Sequence, residues 1–420
     1  MRWLHLSDIH YNPQNAGRST EQLRDRLPAY IRDNGITADH LFVTGDFRHA
    51  AQQPESENAQ AAREAADFML NIAQAAGIPP DHIHIVPGNH DLVRTSDTDR
   101  IQRIQKSYQT EDGRFSPEDQ KFLTDRFAFF RTVQAELSKR GYRSPWKENA
   151  DPSALHAVRI LDDCALLYLN TSVLCNSNKD RGNLLLGNLD LYRALRTIRD
   201  NAPDKPVVVL AHHGLDNLRQ DEKQTVEGIF KDFPVTLYLC GDAHETWQRN
   251  TNGLYEITMG CLVWDKDVEI VFSTGELPAG TLPWSVTAHE WDARYQRWDE
   301  YRHFNQELRD AQTGVSRQGH SSAPQAKLVT RDRPMQPSGA FVGRVEKMAE
   351  IERSFRGGDT MVILRGMGGL GKSEICRKLF HTYTQGSGTR LVKTVGWLTW
   401  QGSVQDTLYG QFPPIKEENA

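Results

Sequence analysis

Five short clusters of metal-ligand side chains each follow an apolar run, and that pairing constrains the fold of this chain more than any other feature. The clusters are SDIH at Ser7–His10, GD at Gly45–Asp46, GNHD at Gly88–Asp91, AHHG at Ala211–Gly214 and GDAH at Gly241–His244. The runs ahead of them are MRWLHL, HLFV, HIHIV, PVVVL and VTLYLC. Such runs read as strands buried on both faces, and open α/β sheets assemble their sites at the carboxyl ends of such strands.

The rest of the N-terminal part fits a layered α/β domain. From Met1 to about Phe304, strands alternate with helical stretches such as the Ala-rich Asn58–Ala76 and the segment Pro117–Arg140. Tyr255–Met259, Val268–Phe272 and Ser285–Arg294 read as strands that form the second half of a sheet sandwich, ending in a hairpin. From about Asp310 to Gly339 the chain is rich in Ser, Gln, Pro, Gly and Arg with little apolar periodicity, which predicts a mobile linker. The expected organisation is a catalytic domain over 1–305, a flexible linker over 306–339 and a second α/β unit over 340–420.

At 420 residues the chain is long enough for two or three cores. A formal net charge of −5 gives no global basic field, so any nucleic-acid contact must use a local patch. The five cysteines are scattered with no CxxC pair, which fits a reducing compartment. Met1 runs almost directly into the first strand, leaving no room for a signal peptide, and no apolar run reaches membrane-spanning length. The sequence therefore predicts a soluble, cytoplasmic protein with no membrane partner.

The cluster chemistry is that of a metal site. Asp8 and His10, two apart on an extended strand end, point to the same side and can reach one ion. Asp46 can place its two carboxylate oxygens on two neighbouring ions, Asn89 is a neutral oxygen donor, and His90 beside it is free to donate a proton. His212, with Asp242 or His244, completes a nitrogen and oxygen set suited to manganese, iron or zinc rather than a thiolate site. Each pair alone is an ordinary turn or cap; five in order at strand ends are not. His5, His82 and His84, within or flanking strands, read as structural, and Asn170 as a turn residue.

In this order the motifs DxH, GD, GNH[DE], H and GHxH are those of the calcineurin-like metallophosphoesterases, which Met1 to about Phe304 resembles. The resemblance implies a two-sheet αββα sandwich and a two-metal site. It implies one ion on Asp8, His10, Asp46 and His244, and a second on Asp46, Asn89, His212 and residue 242. Asp46 would bridge the ions, His90 would protonate the leaving oxygen or stabilise the transition state, and Asp91 would orient His90. The family's fifth motif has His where this chain has Asp242. The extra negative charge predicts manganese or magnesium-like ions over zinc. Of the adjacent His212 and His213, His212 directly continues the strand as the family ligand does. The implied reaction is hydrolysis of a phosphoester by a water that attacks in line.

Downstream, Gly366-Met-Gly368-Gly369-Leu-Gly371-Lys372-Ser373 satisfies GxxxxGK[ST] between an expected strand, Met361–Leu364, and an expected helix, Glu374–Thr382. Backbone amides would cradle phosphates, Lys372 would reach the β/γ-phosphates of ATP, and the Ser373 hydroxyl would meet magnesium. With FVGR at Phe341–Arg344, this stretch resembles the start of NACHT and NB-ARC signalling NTPases (the STAND class). One further strand is expected at Val395–Trp400, and no apolar run ending in Asp follows Ser373. The module therefore reads as the truncated start of a P-loop domain, part of a longer sensor that self-associates when complete.

These features predict a phosphodiesterase or nuclease effector tethered to a nucleotide-binding switch, an arrangement that by resemblance is typical of bacterial antiphage defence. The alternatives are a cyclic-nucleotide or other small phosphodiesterase with a regulatory appendage, and an oligomerising scaffold with an inactive esterase. A nuclease needs basic side chains along a groove, for which Arg94, Arg100, Arg103, Lys106 and the segment Arg140–Lys147 are candidates.

Overall fold

A computed structural model describes residues 1–11, 18–49, 55–110, 113–148, 154–177, 180–233, 235–251, 253–263, 268–277, 284–302 and 304–305, with 327–328, 348, 351, 372–384, 394–395 and 397–398 further on. The chain divides into two compact units, Met1–Thr313 and Gly314–Ala420.

Two six-stranded sheets build the first unit. In the first sheet, β1 (Arg2–Leu6), β2 (His40–Thr44) and β3 (Ile83–Val86) run parallel. The free edge of β1 is extended by the antiparallel strands β10 (Val271–Glu276), β11 (Ser285–Asp292) and β12 (Arg297–Glu300). The second sheet has the order β4 (Ala157–Ile160), β5 (Ala165–Leu169), β6 (Val207–Ala211), β7 (Val235–Cys240), β9 (Leu254–Thr258), β8 (Trp247–Thr251). Its strands β5, β6, β7 and β9 are parallel.

Alternate residues along these strands enter different layers, as the two-residue period of a strand requires. Trp3, Phe42 and Val86 meet Leu166, Tyr168, Val208, Leu210, Leu237 and Leu239 in a core between the sheets. Their neighbours Leu4, Leu6, Leu41 and Val43 turn outward to Leu23, Leu27 and Ile31 of α1 (Arg18–Asp33) and to Ala61, Ala65, Met69 and Ile72 of α2 (Glu55–Ala76). On the other side Val207 and Val209 share the outer cluster with Leu191, Leu195 and Ile198 of an Asn188–Asn201 helix and with Val226 and Phe230 of a Gln220–Lys231 helix. Burial on both faces is why the strands read as continuous apolar runs. The order is helix, sheet, sheet, helix, as expected.

The structure differs from the sequence reading in three places. The late strands do not stay together: β9 joins the second sheet, whereas β10, β11 and β12 return to the first. The hairpin is where it was expected, but its strands complete the unpaired edge of β1. The helical stretch Pro117–Arg140 is two helices, Pro117–Asp125 and Ala128–Ser138. It breaks at Arg126 and Phe127, where the buried Arg126 donates from Nε to Val93 O at 3.1 Å and from Nη2 to Asn176 Oδ1 at 3.0 Å. Finally, Lys327–Leu328, inside the stretch expected to be a linker, pairs in parallel with Thr394–Val395 of the second unit.

Also in the second unit, a helix spans Lys372–Thr384, so it starts on the last two residues of the GxxxxGK[ST] pattern. Gly366, Gly368, Gly369 and Gly371, and the expected strand Met361–Leu364, lie outside the described residues.

Candidate metal centre

All five clusters stand at the carboxyl ends of strands, β1, β2 and β3 in one sheet and β6 and β7 in the other. Within each sheet, neighbouring loops are stitched to one another. Asp8 N donates to Gly45 O (3.2 Å), His10 N to Asp46 O (2.8 Å) and Gly241 N to His212 O (2.9 Å). Close approach demands glycine at two points. A Cβ on Gly241 would lie 1.8 Å from Ser7 Oγ, and one on Gly88 would lie 2.1 Å from Asp46 Oδ1.

Six described non-glycine residues have left-handed backbone, and five of them are Asp8, His10, Asp46, Asp242 and His244, at φ 46–61°. This conformation costs about 1–2 kcal/mol per residue, and such strain collects at functional sites.

The side chains converge in two groups. In the first, His244 Nε2 is 3.0 Å from His10 Nε2 and 3.2 Å from Asp8 Oδ1, and His10 Nε2 is 3.7 Å from Asp46 Oδ2. In the second, His212 Nε2 is 2.9 Å from Asn89 Oδ1, 3.4 Å from Asp46 Oδ1 and 3.9 Å from Asp242 Oδ1. The two oxygens of Asp46 therefore face different groups.

A divalent cation fits this arrangement. Asp8 Oδ1 is buried and makes no hydrogen bond. The rings of His10 and His212 each have a backbone carbonyl behind Nδ1, Arg48 O at 3.4 Å and Thr44 O at 2.7 Å. A carbonyl only accepts, so the proton sits on Nδ1 and the Nε2 lone pair faces the site, the arrangement that metal-binding histidines adopt. Two Nε2 atoms 3.0 Å apart, as in His10 and His244, need a proton or a cation between them.

The charges point the same way. Burial by itself would raise Asp8 and Asp46, but the imidazoles of His10 and His244 for the first, and of His212, His90 and His10 for the second, hold both carboxyls well below their usual range. Conversely, burial lowers His10 and His212, yet Asp8 and Asp46 outweigh it and raise both. A group of carboxylates that draws protons onto imidazoles draws a metal ion to the same lone pairs.

Other expected residues fall differently. His90 lies at the edge, its Nε2 3.8 Å from Asp46 Oδ2, and its Nδ1 is bonded to the carbonyl of His49. That bond again fixes the proton on Nδ1. Burial lowers His90, so at neutral pH Nε2 offers a lone pair and the ring is a proton donor only as imidazolium. Asp91 does not orient this ring, contrary to expectation. Its carboxylate accepts from the backbone amides of Asp46 (2.8 Å), Phe47 (2.9 Å) and Gly88 (2.8 Å), so it clamps the GD loop to the GNHD loop. Burial and the nearby Asp46 carboxylate push it up, to about 7.

His213 has Nδ1 on Thr171 Oγ1 (2.8 Å) and Nε2 3.8 Å from Asp242 Oδ1, so it stands with His212 and Asp242 at the edge of the second group. His5, His84 and Asn170 are structural, as read: His5 bonds Thr44, His84 bonds His40 and Tyr168, and Asn170 Oδ1 accepts from Ser172 N.

Three residues at the site escape the motif reading. Arg48, 1% exposed, donates from Nε to His90 O (2.7 Å) and from Nη2 to Leu92 O (3.1 Å), holding the GNHD loop. His49 supplies the carbonyl behind His90. Arg181 donates from Nη2 to Asp242 Oδ2 at 2.8 Å. Position was a usable signal for Arg48 and His49, which directly follow GDF; nothing local marks Arg181.

An αββα sandwich whose strand ends gather carboxylates and imidazoles has the architecture of a metallophosphoesterase. The chain belongs to the calcineurin-like phosphoesterase family, a family of phosphoester hydrolases whose model matches residues 1–246. It is 24% identical over 313 residues to an uncharacterized metallophosphoesterase-like protein of Bacillus subtilis, YydB, covering 71% of this chain and 61% of that protein. The chain thus spans about three fifths of that relative's length. Among solved structures it aligns with a dimetal phosphatase from Danio rerio at 12% identity, over 69% of this chain and 95% of that one, with a TM-score of 0.41. It also aligns with GAP50, the anchor in the inner membrane complex of Plasmodium, at 12% identity, over 70% and 81%, with a TM-score of 0.36. No helix among the described residues is long and apolar enough to cross a membrane.

Proposed function

We propose that the first unit is a two-metal phosphodiesterase of the nuclease type. The observation that carries this reading is the split carboxylate of Asp46, with Oδ2 toward His10 and Oδ1 toward His212. Asp8, His10, Asp46 and His244 would hold one divalent ion, and Asp46, Asn89, His212 and Asp242 the other. The donor set is oxygen and imidazole without thiolate, which suits manganese, with iron, zinc or magnesium as competitors. When bound, such ions polarise a phosphoryl group and lower the pKa of water.

The chain supplies the rest of the chemistry. Asp46 holds His90 by accepting from its backbone amide at 2.8 Å, and Arg48 and Asp91 fix the loop that carries it. Once protonated at Nε2, His90 gives that proton to the leaving oxygen.

Downstream, Gly366–Ser373 would bind ATP with magnesium, the helix that begins at Lys372 supplying its amino end to the phosphates. Residues 340–420 would then be the start of a STAND-type switch that gates the esterase, with self-association in a longer form and a role in antiphage defence as the context. Motif resemblance supports this part of the reading.

One observation favours a smaller substrate than nucleic acid. Arg100 pairs with Glu118 (3.6 Å) and lies over the Phe122 ring, Arg140 pairs with Asp67 (3.6 Å), and Arg143 pairs with Glu148 (3.0 Å). Three of the basic candidates for a groove are therefore already engaged, while Arg103 and Lys106 are exposed. The deciding experiment incubates the manganese-loaded chain with linear DNA, RNA, cyclic nucleotides and bis(p-nitrophenyl) phosphate, with Asp46→Ala and His90→Ala as controls. Cleavage of only the small diesters rejects the nuclease reading. Cleavage undiminished in Asp46→Ala rejects the two-metal reading.

A further inference from the structure

The departure at Asp242 is tied to a residue outside all five motifs. Asp242 Oδ2 accepts from Arg181 Nη2 at 2.8 Å and from Asn217 Nδ2 at 3.3 Å, while Oδ1 is left toward His212 and His213. Arg181 also donates from Nη2 to the Asp242 carbonyl at 3.3 Å. Both contacts of Arg181 use one nitrogen of the guanidinium. The side chain is 63% exposed, so Nε and Nη1 are left to solvent.

Exposure identifies the open side of the cluster. The side chains of Asp8, His10, Asp46 and His212 are at most 4% exposed, whereas His244, His90 and Asp242 are 34%, 26% and 12% exposed. Among the donors, the partly exposed ones, these three and Asn89, mark the side a substrate can reach, and Arg181 stands beside Asp242. An imidazole at position 242 could not hold a guanidinium in this way, because it offers no second carboxylate oxygen.

We propose that Arg181 is a substrate-binding residue: anchored through one nitrogen on Asp242, it presents its remaining N–H groups to a non-bridging oxygen of the phosphoryl group. The ligand class is a phosphate ester anion, and the contact rests on the two-metal reading above. An arginine suits this role because its permanently charged guanidinium keeps donors on Nε and Nη1 for charge-assisted hydrogen bonds after Nη2 is engaged by Asp242. Asp242 thus has a second task, which explains why a carboxylate stands where the family has His.

The test uses the full chain loaded with manganese, with inorganic phosphate as the probe. Metal content is measured by elemental analysis and phosphate affinity by titration calorimetry. Arg181→Gln is expected to keep the wild-type manganese content and to bind phosphate at least about tenfold more weakly, the size of a lost charge-assisted hydrogen bond. Arg181→Lys, which keeps the charge without the guanidinium, is expected to recover part of that loss. Wild-type phosphate affinity in metal-replete Arg181→Gln overturns the proposal while leaving the two-metal reading intact. Loss of manganese from Arg181→Gln also overturns it, because Arg181 would then act by placing Asp242. Wild-type protein that takes up no manganese overturns the two-metal reading and this contact with it.

Discussion

Gly88→Ala should damage the metal site far more than the fold. A Cβ at Gly88 would sit 2.1 Å from Asp46 Oδ1, 2.4 Å from Asp46 N and 2.8 Å from Asp46 Cγ, where real Cβ contacts essentially never fall below 3.0 Å. Oδ1 must therefore retreat by nearly 1 Å, from 2.1 to 3.0 Å, merely to reach the limit. Asp46 cannot swing aside freely. Its amide is held by Asp91 Oδ2 at 2.8 Å and its Oδ1 by the His90 amide at 2.8 Å, so the loops separate or the carboxylate turns. Overpacking of this kind costs roughly 1–3 kcal/mol of stability, whereas a displacement of about 1 Å at reacting groups costs on the order of 100-fold in rate. The assay pairs urea unfolding with manganese titration calorimetry and turnover of bis(p-nitrophenyl) phosphate. Gly228→Ala is the control: Gly228 lies in the helix Gln220–Lys231 with nothing within 4 Å of an added Cβ, and alanine there should stabilise by about 0.5–1 kcal/mol. Wild-type metal affinity and turnover in a folded Gly88→Ala protein would refute the placement of Asp46 between the two donor groups.

Arg48→Lys keeps the buried charge but cannot reach both the His90 and Leu92 carbonyls. It should cost roughly 2–4 kcal/mol in urea unfolding and lower kcat with the manganese content unchanged. In EDTA, the contribution to stability of two buried histidines away from the metal site, His156 and His289, should fall as pH drops. His156 accepts from Asn170 N at Nδ1 (3.2 Å) and meets Leu186 O from Nε2 (3.0 Å), which leaves no place for a second ring proton. Burial, chiefly, lowers His156 from 6.5 to about 4, and His289 likewise. Between those values the unfolded chain binds more protons at these two sites, so their contribution is complete above pH 6.5 and is lost toward pH 4, at about 1.4 kcal/mol per pH unit per histidine. A His156→Gln variant whose urea midpoint falls as steeply as wild type would contradict this. Binding of a fluorescent ATP analogue by the full chain should be abolished by Lys372→Ala; equal binding in both proteins would remove the P-loop reading.

The parts of the fold legible in sequence were those that local pattern controls. Five apolar runs marked five strand ends because both faces of those strands are buried. Sheet membership was not legible for the late strands, since nothing local to Val271–Glu276 records that it will pair with Arg2–Leu6. The helix break at Arg126 was hidden for a similar reason, its cause being carbonyls at Val93 and Cys175. At the site, residue types foretold which side chains converge, but not which way each one faces. Asp91 was misread because adjacency to His90 suggested contact with the ring, whereas its carboxylate turns back to the amides of Asp46, Phe47 and Gly88. Arg181 was invisible because it reaches the site through space, 61 residues before its partner Asp242.

The left-handed residues explain why the legible part was legible at all. A strand that ends in ordinary geometry carries its side chains on alternately up and down the sheet. At Asp8, His10, Asp46, Asp242 and His244 the backbone instead turns to φ 46–61° and aims the side chain across the strand ends. Aspartate and histidine are among the few non-glycine types enriched in that conformation. Each of these five positions is therefore selected twice, once for a donor atom and once for a backbone few residues tolerate. Glutamate has the donor and lacks the tolerance; glycine has the tolerance and lacks the donor. Asp242, at φ 61°, meets both demands where the family has His, so the substitution changes the charge at that position without changing the turn. The strain persists because neighbouring loops hold it: Leu262 N donates to Asp8 O at 3.1 Å, Glu269 N to His244 O at 2.9 Å, and Asp242 N to Asp8 Oδ2 at 3.0 Å. A donor set that is costly to hold in place, yet held from several loops at once, is what a cation site worth more than the stability it gives up would require.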